Sequence, residues 1–233
     1  MRKAWPEVVG SITDWLLPRR CLLCDAPAGA DHLCEACADD LPRIPLACPC
    51  CARPVVTPGP CAVCLKRPPP FDAAIAPLDY AGAARHLVTR FKFGGRLSHG
   101  VPLAHHLIEA VRRDIATTLP DALIPVPIHP RRLRERGYNQ SMELARPLAR
   151  RLGIPLLPHA LQRVRATTPQ MRLPEAARAA NVRGAFAVHG DLPAHVALID
   201  DVLTTGATVG ELARLLKREG CERVDVWCAT RAT

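Results

Sequence analysis

Two adjacent aspartates followed by a hydroxyl-rich glycine turn are the densest chemistry in this chain. In His195 to Thr208, HVALIDDVLTTGAT, the residues Val196, Ala197, Leu198 and Ile199 are an unbroken apolar run. Such a run suits a strand buried on both faces of a parallel sheet. Asp200 and Asp201 stand where that strand should end, and Thr204, Thr205, Gly206, Ala207 and Thr208 follow. The apolar spacing Val209, Leu212, Leu215, Leu216 then predicts a helix to Lys217. A helix start leaves unpaired N–H donors and a partial positive charge, so this turn is suited to an anion. Gly206 lets the backbone come close to a phosphate. Carboxylates beside a phosphate cradle do not help to hold phosphate. They make sense holding the neighbouring hydroxyls of a sugar, directly or through a metal, and a 5-phosphorylated ribose asks for this combination. The bland alternative is a strand, an acidic turn and an ordinary helix.

A second chemistry sits at the other end of the chain. Eight of eleven cysteines form the C-x-x-C pairs Cys21/Cys24, Cys34/Cys37, Cys48/Cys51 and Cys61/Cys64. Each pair offers two thiolates to one ion, and two pairs complete a tetrahedral four-sulfur site. Two structural Zn²⁺ ions would use all eight. Sequential closure needs the shortest loops, and an interleaved arrangement stays open. Cys50 is the spare. The N-terminus is a poor secretory signal and the rest of the chain looks cytosolic, so reduced thiols and zinc are favoured over disulfides, and a cytoplasmic location is expected. A segment this short and proline-rich needs the metal to fold. His32 is read as a bystander, and Cys221 and Cys228 as buried thiols.

The third feature is basic. Net charge is +9, from 31 Lys and Arg against 22 Asp and Glu. Pro120 to Gly190 holds 12 Arg against 4 acidic residues, which is the whole surplus beyond the linker. Clustered Arg points to phosphate-rich partners. Within that stretch Ala122 to Val126 reads as a buried strand, and PIHPRRLRERGYNQ as a basic loop carrying Arg131, Arg132, Arg134 and Arg136. Gly137 permits a turn and Asn139 can cap a helix from Gln140 to Leu152. Strand, basic loop and helix make a second anion-binding turn. Residues 163 to 183 are polar, basic and proline-punctuated, the composition of a mobile lid.

The remaining elements must position these groups. Residues 1–18 read as a short docking helix, 19–66 as a double zinc ribbon, Lys66 to Pro70 as its linker, and 67–233 as the second domain. Phe71 to Tyr80 is extended, Ala83 to Phe93 and Val101 to Ile115 are helices, and Arg223 to Ala229 is a last strand with Val224, Val226 and Cys228 on one face. His99, His105 and His106 are read as a solvated helix face. Alternating strands and helices after residue 120 predict an α/β parallel sheet, with both anion turns at the carboxyl ends of its strands. No run approaches the roughly 18 to 20 apolar residues that span a bilayer.

The order of these motifs resembles the ComF family. It runs from four C-x-x-C pairs through a basic K-F-G-G turn, VPIHPRRLRERGYNQ, and R-x-x-T-P-Q with Arg178 and Asn181, to the segment DDVLTTGAT. That segment looks like the phosphoribosyl pyrophosphate (PRPP) motif of type I phosphoribosyltransferases. The family has C-P-x-C-G at the third pair, whereas CPCCA here puts Ala52 where glycine is usual. The resemblance implies a double zinc ribbon joined to a type I phosphoribosyltransferase fold. It implies Asp200 and Asp201 on the ribose hydroxyls, and Thr204 to Thr208 on the 5-phosphate. Arg131, Arg134 and Arg136 would meet the pyrophosphate, with Mg²⁺ accompanying PRPP. A flexible loop would carry Arg165, Thr168, Gln170 and Arg178. Candidate partners are PRPP, single-stranded DNA, DNA-processing proteins of competence, and a second copy of the chain. Two functions of different class stay open: a protein that transfers or senses a phosphoribosyl group, and a single-strand-handling protein that uses the fold for binding.

Overall fold

The computed structural model describes residues 19–93, 95–114, 118–165 and 182–233. The predicted docking helix and the loop residues Thr168, Gln170 and Arg178 lie outside them. The chain forms two compact units, one ending at Leu41 and the other Pro42–Thr233.

The first unit carries one cysteine knuckle and a five-residue helix, α1 (Glu35–Asp39). Cys21 donates its N–H to Ala26, and Asp25 donates back to Cys21, closing the knuckle. The second unit opens with the same construction. Cys48 donates to Arg53 and Ala52 to Cys48, and α2 (Ala62–Lys66) begins after Cys61. The residue after the second cysteine is left-handed in both copies, Asp25 at φ 65° and Ala52 at φ 56°. The family's usual glycine at position 52 fits that geometry without strain. Ala52 adopts it nonetheless, with its methyl fully buried.

The rest of the second unit is a parallel sheet. Its strands are β1 (Ala73–Ile75), β2 (Leu78–Asp79), β3 (Ala122–Pro125), β6 (His195–Leu203) and β7 (Arg223–Arg231). Their order is β1–β7–β6–β3, with β2 also on β7, and every pairing in this sheet is parallel. A separate antiparallel pair joins β4 (Leu161–Arg163) to β5 (Phe186–Val188). Parallel strands need crossovers; helices α4 (Gly100–Asp114), α6 (Gln140–Leu152) and α7 (Ala207–Arg218) pack on the sheet, and α3 (Gly82–Phe93) packs on α4. Each buries one stripe, such as Ala84, Leu87, Val88 and Phe91 on α3, and Val209, Leu212, Ala213 and Leu216 on α7.

Four expectations are corrected. First, β6 does not end at the aspartates but runs to Leu203, because its last residues still pair with β7, Val202 with Thr230 and Leu203 with Arg231. Second, β7 extends to Arg231 and is buried on both faces throughout Val224–Arg231, with Val224, Val226 and Cys228 sharing one face as expected. Third, the basic loop is largely a helix, α5 (Pro130–Arg136), with His129 Nδ1 accepting from the Arg131 N–H and Gly137 closing it at φ 83°. Proline at the first helical position favours that start, yet α5 buries no residue and so has no apolar period to read. Fourth, His99 is not solvated: it is 2% exposed, and burial, then the charges of Arg96, His86 and Arg90, push its pKa down to about 4.

Helices α3 and α4 meet at Gly100, where an added β-carbon would lie 2.7 Å from the Phe91 ring. Phe91 is fully buried and has no space to swing into. Gly100→Ala gains helix propensity but overpacks this crossing. A net loss of about 1–2 kcal/mol is expected in urea unfolding. Combined with Phe91→Leu the two losses should sum to less than their separate values; full additivity would show that the contact does not limit the packing.

Candidate functional site

The cleft lies at the carboxyl ends of β3 and β6 and has a volume of about 940 Å³. Both predicted acids line it, Asp200 partly exposed and Asp201 buried. Successive strand residues point to opposite faces, and the two carboxylates accordingly find different partners. Asp201 meets Lys92 of α3, with Nζ 2.8 Å from Oδ1. Asp200 Oδ1 accepts from the Ser141 hydroxyl at 3.0 Å, at the start of α6, and from the Asp201 N–H at 2.9 Å. Asn139 fixes that helix start as predicted, accepting from the Ser141 N–H at 3.1 Å while its amide donates to the Val126 carbonyl at 3.1 Å.

Two like charges this close cannot both be held without penalty. Burial, followed by the negative charge of Asp201, lifts Asp200 to about 7, against the pull of Lys92, the Asp201 N–H and Ser141. Burial opposes the charge on Lys92, but Asp201 and Asp200 outweigh it and raise its pKa.

Beyond the strand, Gly206 at φ 77° starts α7 and brings no capping oxygen. Thr204, Gly206, Ala207 and Thr208 line the cleft, while the Thr205 hydroxyl accepts from the Ala207 N–H at 3.4 Å. Opposite lies α5. Arg136 faces the cleft with its guanidinium 5.3 Å from the Phe93 ring centre, and Arg132 lines it too. The predicted Arg131 and Arg134 are exposed outside the lining. Arg165 donates to the Arg183 carbonyl at 2.6 Å, and Arg163 of β4 stands on the wall instead. Burial, then the neighbouring Arg132, lowers the pKa of both Arg136 and Arg163. Arg132, Arg136 and Arg163 outnumber Glu135 on that side of the lining, which suits it to an anion.

Sequence reasoning missed Lys92, Ser141 and Arg163 as site residues, and placed Arg132 in the anion-binding turn without assigning it to the pyrophosphate. Lys92 had a signal in the basic K-F-G-G turn, and Tyr138 of the RGYNQ segment explains the link: its hydroxyl donates to the Phe91 carbonyl, tying the end of α3 to the turn before α6. Arg163 had none, since only the β4–β5 pairing brings it to the wall.

The cysteines close sequentially. In each set, Cys21/Cys24/Cys34/Cys37 and Cys48/Cys51/Cys61/Cys64, the four sulfurs lie within 4.8 Å of one another. A Zn–S bond of about 2.3 Å gives tetrahedral S···S edges of about 3.8 Å. Cys24 and Cys34 are 3.6 Å apart, Cys51 and Cys61 3.7 Å. The Cys61 N–H donates to Cys48 Sγ at 3.2 Å, as it would to a thiolate. The donor sets fit two structural Zn²⁺ ions. Cys50 belongs to neither set, and Cys221 and Cys228 are buried as expected.

A double zinc ribbon profile matches residues 12–65. The DNA utilization protein YhgH of Salmonella typhimurium is 38% identical over 224 residues, 92% of this chain and 98% of its own. Competence protein F of Haemophilus influenzae is 34% identical, over 91% and 97%. The chain belongs to the ComF family. Among solved structures, a purine phosphoribosyltransferase from Pyrococcus horikoshii aligns at 20% identity over 56% of this chain and 80% of its own, with a TM-score of 0.34. Membership rests on the full-length relatives. The architecture is a parallel sheet with flanking helices, preceded in the chain by two four-cysteine sets of a double zinc ribbon, as the ComF resemblance implied.

The pairing of Asp200 with its neighbours has a measurable consequence. The unfolded chain ionises this carboxyl from about 3.8 upward, whereas the folded one holds its proton to about 7. Its contribution to stability is thus present at low pH and lost as pH rises toward 7. Carboxyl-carbon NMR of the ligand-free protein should show Asp200 titrating near 7. Lys92→Met should move that midpoint upward, since it removes the nearest positive charge. A midpoint in the ordinary carboxylate range would refute the arrangement.

Proposed function

We propose that this ComF protein binds PRPP with Mg²⁺ in the cleft and transfers or senses its phosphoribosyl group. The observation that carries the reading is that Asp200 and Asp201, near the carboxyl end of β6, line one cleft with the left-handed Gly206, the start of α7, Arg132 and Arg136. The acids would hold the ribose 2- and 3-hydroxyls. The amides and hydroxyls of residues 204–208 would hold the 5-phosphate. Arg132, Arg136 and Arg163 would neutralise the pyrophosphate, with Arg131, Arg134 and Arg165 serving it from outside the wall; Thr168, Gln170 and Arg178, which lie outside the described residues, would join them as the resemblance implies. Asp200 would be the residue to hold Mg²⁺, which would supply charge neutralisation of the leaving group. In a transfer reaction the anomeric C–O bond to pyrophosphate breaks through an oxocarbenium-like state, and the chain's part is positioning and electrostatics. Among the described residues, none on the wall marks the acceptor.

The test is calorimetry with Mg²⁺–PRPP. Asp200→Asn with Asp201→Asn should weaken binding by about two powers of ten or more, each charge-assisted hydrogen bond removed being worth about 1.5–3 kcal/mol. Unchanged affinity would remove the assignment.

A second reading is single-stranded DNA binding. Arg131 and Arg134 are exposed beside the cleft rather than in it, and the relatives' names concern DNA utilization and competence. An Arg131→Gln, Arg134→Gln protein should bind an oligonucleotide more weakly, with a salt slope shallower by about 0.7 for each phosphate it no longer neutralises. Binding that ignores salt would count against this reading.

A further inference from the structure

Arg231, the last residue of β7, is a buried side chain that touches both a zinc-ligand residue and the cleft turn. It is 2% exposed. Its Nε donates to the carbonyl of Cys51 at 2.9 Å. Its Nη1 donates to the carbonyls of Leu203 at 2.7 Å and Thr204 at 2.6 Å, and also to that of Ala232. Leu203 and Thr204 are where β6 leaves the sheet for the turn to Gly206. Cys51 is a ligand residue of the second four-cysteine set.

The surroundings bind the same two places together. Ala52, fully buried at φ 56°, shares one apolar cluster with Phe71, Leu203 and Val209. Phe71 in turn lies 3.6 Å from where a β-carbon on Gly206 would stand. The Ala74 N–H donates to Pro49 within the knuckle at 2.9 Å. Burying a guanidinium among neutral carbonyls is unfavourable without negative charge nearby. Four thiolates on Zn²⁺ carry a net charge of about −2, and Cys51 puts that charge beside Arg231. The loaded metal site thus favours the guanidinium where the turn needs it.

We propose that the second zinc site sets the conformation of the cleft turn, residues 203–206, through Arg231, so that metal at Cys48, Cys51, Cys61 and Cys64 acts on the anion site at a distance. Arg231 is a positioning residue, held outside the cleft lining. The coupling stands on the ligand-free geometry. Its consequence for PRPP affinity rests on the reading under the previous heading.

The experiment is amide hydrogen exchange by mass spectrometry on the full-length, ligand-free protein, with zinc counted per chain. Four proteins are compared: wild type, Cys61→Ser, Cys34→Ser and Arg231→Lys. Loss of the second site in Cys61→Ser should speed exchange in the peptide 203–210 by about tenfold or more, leaving α4 within about twofold. Arg231→Lys, which keeps the charge but not the fork, should do the same while retaining both zinc ions. Cys34→Ser should lose one zinc and leave 203–210 as in wild type. Unchanged exchange in 203–210 when Cys61→Ser has lost a zinc overturns the proposal, and so does equal loosening of α4. Titrating Mg²⁺–PRPP into the same proteins then reads the consequence separately. Failure to bind in wild type would strike the PRPP reading and leave the exchange result standing.

Discussion

Two carboxylates on consecutive residues of a buried strand are destabilising, and much of the second unit can be understood as the answer to that constraint. Full ionisation of both would set like charges on neighbouring residues where water screens poorly. The fold supplies one strong counter-charge, Lys92, and directs it at Asp201. Asp200 gets dipoles instead, from Ser141 and the backbone, and keeps its proton to about neutrality. That division fixes where α3 must end and where α6 must begin. Tyr138 and Asn139 serve it by tying those two ends to Phe91 and Val126. The arginines stand across the cleft, where burial and then the neighbouring Arg132 lower the pKa of Arg136 and Arg163.

The second ribbon answers a different problem. A short, proline-rich cysteine segment cannot bury enough apolar surface to fold by itself. In this chain its knuckle is joined to the edge of the main sheet. The Ile44 N–H donates to Pro77, Asp79 donates to Pro42, and Ala74 donates to Pro49. Ala52 then contributes its methyl to the sheet's own apolar cluster. A left-handed alanine costs about 1–2 kcal/mol relative to glycine, and the buried methyl offsets about 0.8 kcal/mol of that.

What could be read from the sequence was whatever leaves a local trace. The apolar run before Asp200 announced a central strand, the cysteine spacing announced two four-sulfur sets, and Asn139 announced a helix start, because each effect acts within a few residues. The end of β6 was invisible, since it depends on pairing with β7 far along the chain. Helix α5 was read as a loop because four arginines and a glutamate give it no buried stripe. His99 was misread for the opposite reason: a polar residue was buried by the α3–α4 crossing, which no spacing reveals. Arg163 reached the cleft wall only through the β4–β5 pairing. All but the α5 failure are tertiary, and three of the four involve groups that touch or shape the cleft.

Lys92 sharpens the chemistry further. The chain has 27 arginines and only 4 lysines, yet a lysine holds the acid pair. An arginine fork there would engage a carboxylate through two parallel bonds, leaving little of it for a ligand. A lysine is a point charge on a flexible stem, and its 2.8 Å contact is to Oδ1, one oxygen of Asp201. The ammonium can therefore neutralise Asp201 in the empty cleft and still share it with sugar hydroxyls, which donate to carboxylate oxygen rather than compete for charge. A divalent cation is different, because it competes with the ammonium for the same oxygen and repels it. On this geometry hydroxyls can bind beside Lys92, whereas direct coordination of a metal by Asp201 requires Lys92 to move. Asp200, held by a hydroxyl and a backbone N–H rather than by a cation, is the carboxylate more open to a metal once its proton has left.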